Sequence, residues 1–100
     1  MSKFLPQNFD ASKTLVLIAG QGFYPTLLAQ RAKSSGINLR LIELGGETSE
    51  ELVQSFPANE RSAVKVGQVG KLLKELKKFN AGYAVMAGQV TPGKLVNLAV

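Results

Sequence analysis

The amino-acid sequence predicts an α/β domain built around a parallel sheet. Three observations lead to this prediction. A continuous apolar run at residues 14–19 ends in a Gly-x-Gly turn, strand-like and helix-like segments alternate along the chain, and 100 residues suit one domain. An alternating βαβα order requires right-handed crossovers, which place helices on both faces of the sheet. The expected fold is a Rossmann-like three-layer domain with an incomplete sheet, whose four visible strands take the order 3-2-1-4.

The first βα unit is the most informative stretch. Its apolar run ends at Gly20, and Pro25 suits the first position of a helix that is predicted over residues 25–35. Gly36 suits the left-handed cap after that helix. A turn of this kind brings backbone N–H groups and a helix N-terminus to one point, where an anionic ligand can bind.

The second unit is predicted from alternation and capping signals. Residues 37–44 alternate apolar and polar side chains, which predicts a strand that is less buried than the first. Thr48 and Glu51 have the spacing of a capping box. The short helix that follows is expected to run through Phe56 and to stop at Pro57.

The remaining elements follow the same alternation. A short edge strand is predicted at residues 63–66, and an amphipathic helix at 69–79 has apolar residues at i, i+3, i+4, i+7 and i+10. A fourth strand is predicted at 83–87, central in the sheet beside the first strand. Thr91 and Pro92 then indicate the start of another helix.

Both ends of the chain lie outside this core pattern. Residues 1–13 are expected to form a loose arm that packs Phe4 or Phe9 onto the body. Residues 14–100 are expected to be a truncated domain, because Val100 falls inside a predicted helix whose apolar side chains need cover. Those side chains are Leu95, Val96, Leu98 and Val100.

Composition limits the compartment and the partners. The chain has no cysteine and no apolar run of about 20 residues, so a soluble cytoplasmic protein is expected. The net charge is +5, and the solvated face of the third predicted helix accounts for much of it. Anionic lipid or phosphate remains an alternative partner. Nucleic acid is not expected, because aromatic residues are not interleaved with these lysines. They are Lys71, Lys74, Lys77 and Lys78.

The chain contains few candidates for catalysis. It has no histidine or cysteine, which excludes histidine bases, thiolate nucleophiles and the usual zinc sites within this segment. Helix capping accounts for the one carboxylate cluster, Glu47, Glu50 and Glu51. Asp10 has no acidic neighbour. The sequence therefore predicts neither a catalytic residue nor a metal site in this segment.

Three of the four predicted strands end in the same dipeptide. The glycines let a ligand or another backbone segment approach closely, and the glutamines offer uncharged donors and acceptors. Together they predict a rim that binds a phosphate or a nucleobase. The simpler explanation is that glycine favours tight turns and glutamine tolerates solvent. The dipeptides are Gly20-Gln21, Gly67-Gln68 and Gly88-Gln89.

Two nucleotide-binding motifs are only partly matched. Gly20-x-Gly22-x-x-Pro25 resembles the dinucleotide fingerprint, and Glu43 lies where a ribose-binding acid is expected. Pro25 replaces the third glycine, which argues against a nicotinamide cofactor. Lys71 follows the third turn as a phosphate-binding lysine would, although the Walker pattern fails there. Both a solvated and a ligand-facing Lys71 remain open.

Residues 17–25, 66–72 and 85–92 together resemble the UDP-2,3-diacylglucosamine pyrophosphatases of the LpxI type. The resemblance implies a bacterial enzyme of lipid A synthesis that releases UMP and 2,3-diacylglucosamine 1-phosphate at the cytoplasmic face of the inner membrane. It implies a divalent metal, expected to be Mg²⁺, whose ligands and catalytic aspartate belong to a second, C-terminal domain.

For this segment the resemblance implies that it binds the substrate together with that second domain, which encloses the substrate from the other side. A homodimer is possible on this interpretation. The segment alone is expected to be inactive. The alternative is a non-catalytic nucleotide-binding module. The expected substrate-binding residues are Gly20, Gln21, Gly22, Gly67, Gln68, Gly88, Gln89 and Lys71.

Overall fold

The structure is a computed structural model that describes residues 9–10 and 12–90. Strands and helices alternate as predicted: β1 Thr14–Ala19, α1 Tyr24–Ser34, β2 Leu39–Leu44, α2 Glu50–Gln54, β3 Arg61–Val64, α3 Val69–Lys78 and β4 Ala81–Ala87. A 3-10 turn, Ala58–Glu60, precedes β3. Within this part of the chain, every helix is too short or too polar to cross a bilayer.

The four strands form one parallel sheet in the order β3-β2-β1-β4, which confirms the predicted order. Leu17 of β1 is registered with Leu41 of β2 and with Val85 of β4. The inner strands are β1 and β2. Strand β4 lies at the edge of the described sheet, so the central position expected for it is not seen among these strands. Because all four strands run the same way, their carboxyl ends share one edge.

Helices cover both faces of the sheet, which confirms the predicted fold class. On one face, Leu28 of α1 and Leu52 of α2 share a buried cluster with Leu17. On the other face, Leu76 of α3 packs against the cluster that contains Ile18. Each fully buried leucine contributes roughly 1.5–3 kcal/mol to stability. Strand β1 is covered on both sides, which explains its uninterrupted apolar sequence.

The third strand lies two residues earlier than predicted. The sequence placed it at 63–66, whereas β3 is Arg61–Val64. Lys65 and Val66 instead lead into a turn that Gln68 closes by donating its backbone N–H to the Lys65 carbonyl oxygen at 3.1 Å. Among the described strands β3 pairs only with β2, which confirms its edge position. The four residues of β3 have only a weak apolar pattern, which is not enough to predict the register of the strand in the sheet.

Helix α2 begins one residue later than its predicted capping box implies. Ser49 is the N-cap, and its Oγ accepts a hydrogen bond from the Leu52 backbone N–H at 3.2 Å. The predicted cap, Thr48 with Glu51, is therefore wrong. The helix also ends at Gln54, before the predicted Phe56.

Helix α3 follows the predicted apolar stripe only in part. Leu72 and Leu76 are half-buried, whereas Leu73 is 58% exposed. Glu75 is buried instead, and its Oε1 accepts a hydrogen bond from Ser62 Oγ at 2.6 Å. The helix therefore meets a polar side chain where it crosses the short edge strand. All four of its lysines are exposed, namely Lys71, Lys74, Lys77 and Lys78.

The end of the N-terminal arm contacts the body through an aromatic pair. The rings of Phe9 and Tyr83 are stacked with centroids 4.6 Å apart, and Tyr83 Oη accepts a hydrogen bond from the Asp10 backbone N–H at 3.1 Å. This confirms the predicted packing of Phe9. The other candidate, Phe4, and the helix predicted within residues 91–100 lie outside the described residues.

Candidate functional site

All the predicted site residues except Lys71, which lies in α3, are in three turns at the shared carboxyl edge of the sheet, where ligands bind in open α/β folds. Gly20–Gly22 follows β1, Gly67–Gln68 follows β3 and Gly88–Gln89 follows β4. Strands β1 and β4 are neighbours, so their turns are adjacent. Strand β3 is two strands from β1, a distance of about 10 Å at the usual strand spacing.

The turns after β1 and β4 are joined by backbone hydrogen bonds. Gln21 N–H donates to the Gln89 carbonyl oxygen at 2.6 Å, and Gln89 N–H donates to the Gln21 carbonyl oxygen at 3.1 Å. The pair forms a single antiparallel bridge beyond the parallel sheet. Gly20 N–H also donates to the Ala87 carbonyl oxygen at 2.8 Å. The structure therefore brings two of the three predicted turns into one unit.

Gly20 and Gly88 are required by this contact between the turns. An ideal Cβ on Gly20 would lie 2.5 Å from the Gln89 carbonyl oxygen. One on Gly88 would lie 2.6 Å from the Gln21 carbonyl oxygen and 2.9 Å from Pro25 Cγ, and Gly88 also has φ of +96°. Close approach of another backbone segment is therefore observed at both glycines, and the positive φ of Gly88 also agrees with the simpler tight-turn explanation.

Gly22 occupies a different environment, open to solvent. Its φ is +100°, and no heavy atom lies within 4 Å of its ideal Cβ position. Phe23 follows as the N-cap of α1 and makes no side-chain capping bond. Phe23 is 66% exposed and Tyr24 is 57% exposed. The only sequence signal for these exposed aromatic side chains is that the two residues are adjacent and directly follow a Gly-x-Gly turn.

A buried carboxylate holds the Gln21 side chain. Gln21 Nε2 donates to Glu47 Oε1 at 2.8 Å, and Glu47 is only 5% exposed. Glu47 lies in the turn after β2 and outside α2, so its interpretation as a helix-capping residue is wrong. Glu50 does lie in the first turn of α2. This pair could not be predicted from the sequence, because no local spacing relates Gln21 to Glu47.

Thr48 fixes the turn that carries Glu47. Its hydroxyl donates to the Ala19 carbonyl oxygen at 2.6 Å and accepts from the Leu44 backbone N–H at 2.8 Å. These bonds tie the turn to the ends of β1 and β2 at once. Glu47 N–H also donates to the Leu44 carbonyl oxygen at 2.9 Å. The buried carboxylate is therefore held on a braced segment of backbone.

In the third turn, the Gln68 side chain is held through its amide oxygen, whereas the Gln21 side chain is held through its amide nitrogen. Gln68 Oε1 accepts a hydrogen bond from the Lys65 backbone N–H at 2.9 Å, and this side chain does not cap α3. Lys71 is exposed in the first turn of that helix. Gln68 also lines a cavity of about 60 Å³ with Met86 and Val90, so this turn lies close to the end of β4.

Carboxylates elsewhere in the described residues do not form a metal site. No three residues from among His, Cys, Asp and Glu lie together there. The metal implied by the resemblance therefore does not fit this part of the chain. Glu43, the candidate for a ribose-binding acid, is half-buried within β2 and registered with Ala19 and Ala63.

Asp10 is an exposed turn carboxylate rather than an acid–base group. Ser12 Oγ donates to Asp10 Oδ1 at 2.6 Å, and the Ser12 backbone N–H donates to the same oxygen at 3.0 Å. These two bonds, with a smaller contribution from Lys13, hold the pKa of Asp10 below its ordinary value. At neutral pH the carboxyl group is ionised, so it has no proton to donate.

The fold and this edge define the class of protein. The chain is a Rossmann-like α/β domain whose carboxyl edge carries side-chain amides and one buried carboxylate. Its turns hold ordinary polar side chains and are followed by exposed aromatic rings, and the described residues include no group of three His, Cys, Asp or Glu side chains that could hold a metal ion.

A family model described as the LpxI N-terminal domain matches residues 14–100. The chain therefore belongs to the LpxI family, and this membership connects it with lipid A precursor metabolism. The family is known for hydrolysis of UDP-diacylglucosamine. No curated protein matched the chain.

Proposed function

We propose that this chain is the N-terminal, substrate-binding part of a hydrolase that acts on UDP-2,3-diacylglucosamine. In this reaction water adds across the pyrophosphate, one P–O bond of the bridge breaks, and the products are UMP and 2,3-diacylglucosamine 1-phosphate. The chain contributes binding and orientation of the substrate. The alternative is a nucleotide-binding module that takes part in no reaction.

The observation that carries this proposal is the polar edge in a chain that matches the LpxI N-terminal domain. Gln21, Gln68 and Gln89 are exposed and lie on turns at the same carboxyl edge. Side-chain amides are neutral and can both donate and accept hydrogen bonds, so they suit a ligand that combines phosphates, hydroxyl groups and a base. Specific binding of such a ligand needs a few placed polar groups of this kind.

Exposed apolar side chains favour an amphiphilic substrate over a simple nucleotide. Phe23 and Tyr24 begin α1 at the carboxyl edge, and Met86, which is 65% exposed, lies near the end of β4. Exposed aromatic and methionine side chains are typical of surfaces that contact apolar partners. In the proposed function they lie near the acyl chains, and the enzyme works peripherally at an anionic membrane surface.

Catalysis is assigned to residues outside the described part of the chain. A metal-dependent hydrolysis needs several oxygen or nitrogen ligands around one ion, and no such group is present among residues 9–10 and 12–90. The proposal therefore gives the Mg²⁺ site and the catalytic aspartate to a C-terminal domain. It expects the purified 100-residue chain to release no UMP from the substrate.

The test uses an enzyme that contains this domain. Gln68→Ala and Gln89→Ala should each raise KM for UDP-2,3-diacylglucosamine by about tenfold, since each removes hydrogen bonds to a charged or polar ligand. Gln54→Ala is the matched control, because Gln54 is an exposed glutamine at the end of α2. Wild-type KM and kcat in both edge variants would contradict the proposal.

Titration of the 100-residue chain distinguishes the alternatives. Backbone amide shifts are followed while UMP, NAD or anionic lipid vesicles are added. The proposal predicts that UMP shifts the signals of the three turns. A response to NAD alone, at Gly20, Gly22 and Glu43, would instead support the dinucleotide-binding module.

A further inference from the structure

We propose that the surface between α3 and β4 is the docking site for residues 91–100 of the same chain, which lie outside the described residues. The inference goes beyond the proposed function and does not depend on it. Its basis is the uneven cover of the two faces of the sheet. The α3–β4 surface consists of Val69, Leu73 and Leu76 of α3 and of Ala81 and Ala84 of β4.

The face of the sheet under α3 is less well covered than the face under α1 and α2. Leu28 of α1 and Leu52 of α2 are both buried. On the other face, Leu72 and Leu76 of α3 pack against the cluster that contains Ile18, yet both remain half-buried. Parallel sheets normally have both faces covered by helices. Among residues 9–10 and 12–90, one helix covers this second face and leaves part of it open.

The exposed apolar side of α3 is turned toward β4. Glu75 marks the side nearest β3, because its carboxylate accepts the hydrogen bond from Ser62 of that strand. Val69 and Leu73 lie roughly 120–160° around the helix from Glu75, on the opposite side of the buried stripe. Leu73 lines an open cavity of about 690 Å³ together with Ala81, at the start of β4. Two exposed apolar side chains of α3 therefore border the open side of β4.

Strand β4 is covered on one side only. Ala84 is registered with the buried Val16, so both side chains point to the face of the sheet that carries α3, and Ala84 is exposed there. On the opposite face, Tyr83 is covered by the stacked ring of Phe9. Met86 borders the α3–β4 surface at the carboxyl edge, where the proposed function places it beside the substrate.

The path of the chain beyond β4 favours its own next segment as the occupant. Val90, the last described residue, already packs against the buried cluster on the α3 face. Helix α3 connects β3 to β4 across this face. A further right-handed crossover that continues in the same direction along the sheet stays on the same face. The segment that follows Val90 is therefore directed onto the α3–β4 surface.

The sequence of residues 91–100 suits such an apolar surface. Leu95, Leu98 and Ala99 fall at i, i+3 and i+4, so a helix over these residues has one apolar stripe. Lys94 and Asn97 fall outside that stripe. Ten helical residues span about 15 Å, whereas the seven residues of β4 span about 23 Å. The segment is long enough to cover more than half of the strand.

A spin label on the segment tests this docking in the monomeric 100-residue chain. The chain has no cysteine, so Asn97→Cys gives a single position for a nitroxide label. We expect the label to broaden the backbone amide signals of Leu73 and Ala84 more strongly than that of Leu52, which lies on the other face. Gln54→Cys, which places the label on α2, is the matched control and should give the reverse order.

Variants of the segment test whether apolar contact holds it in place. Leu95→Ser combined with Leu98→Ser removes the apolar stripe, so the broadening at Leu73 and Ala84 should be lost. Lys94→Ser is the matched control outside the stripe and should keep the broadening. The signals of β1 and β2 should stay in place in each variant, which shows that the sheet still folds.

Three results would overturn the proposal. One is broadening at Leu73 and Ala84 that is no stronger than at Leu52. Another is broadening that survives the double serine variant. The third is broadening of Leu73 in an isotope-labelled copy that carries no spin label, after it is mixed with a spin-labelled copy. That result would assign the α3–β4 surface to a second copy of the chain.

Discussion

Gln21 and Gln89 donate their backbone N–H groups to each other's carbonyl oxygens, at 2.6 and 3.1 Å, across the ends of two parallel strands. The bridge has antiparallel geometry, so the chain bends sharply at both turns to form it. That bend brings the backbones closer than a side chain would permit. The position of the edge glutamines therefore depends on the glycine before each of them.

Substitution of Gly20 should be strongly destabilising. Gly20→Ala places a Cβ 2.5 Å from a carbonyl oxygen, and such overpacking costs about 2–3 kcal/mol of the free energy of unfolding. Gly70→Ala is the control, because Gly70 is a helical residue with open space around its Cβ position. That control should stabilise the chain by about 0.5–1 kcal/mol. Urea denaturation measures both, and equal effects would contradict the close approach.

The N-cap of α2 gives a second prediction. Ser49→Ala should lower the free energy of unfolding by about 1 kcal/mol, since it removes the acceptor of the Leu52 N–H. Glu51→Ala should change it by less than about 0.5 kcal/mol, because Glu51 is exposed and the capping box is not formed. Thermal and urea unfolding provide the comparison. A larger loss of stability in Glu51→Ala than in Ser49→Ala would show that Glu51 does form a capping box.

The pairing of Gln21 with Glu47 predicts a rescue. Gln21→Glu replaces the amide donor with a second carboxylate at hydrogen-bond distance, so stability at neutral pH should fall by about 2 kcal/mol. The exchanged double variant, Gln21→Glu with Glu47→Gln, restores one donor and one acceptor and should recover most of that loss. A double-mutant cycle from urea denaturation gives the coupling. Strictly additive effects would show that the two side chains do not interact.

The lowered pKa of Asp10 predicts a dependence on pH. Because the Ser12 hydroxyl stabilises the ionised carboxylate, the folded-state pKa lies below the unfolded one. The resulting stabilisation is complete above the unfolded pKa and is lost as pH falls through the folded pKa. Ser12→Ala should raise the pKa of Asp10 toward its ordinary value, as followed by the NMR shift of the carboxyl carbon.

Ser34→Ala is the control for that titration. The Ser34 hydroxyl donates to the Gln30 backbone carbonyl oxygen and touches no carboxylate, so the pKa of Asp10 should not change. An unchanged pKa in Ser12→Ala as well would assign the shift to another cause.

The alternation of strands and helices could be predicted because it depends on patterns that are local in the chain, and the strand order was then taken from the Rossmann-like topology that this alternation indicates. The run in β1 contains no polar residue after Thr14, as expected for a strand covered on both faces. Gly36 adopts the predicted positive φ, at +75°. Such features are determined by a residue and its near neighbours, so the sequence alone shows them.

The contacts at the edge could not be predicted in the same way. The Gln21–Glu47 pair joins the turns after two different strands, and Thr48 is equally well suited to a helix cap and to bracing β1 against β2. The choice depends on where the backbone of one turn lies relative to another. In β3 the apolar pattern was too short to fix the register, and the prediction missed it by two residues.

The bridge between Gln21 and Gln89 also bears on the rates of folding and unfolding. It joins segments from opposite ends of the described chain, so the loop that it closes is among the longest in the molecule. We expect such a contact to form late, after the strands have assembled, and to be largely absent from the folding transition state. A ligand held across these turns would then slow unfolding while leaving the folding rate almost unchanged.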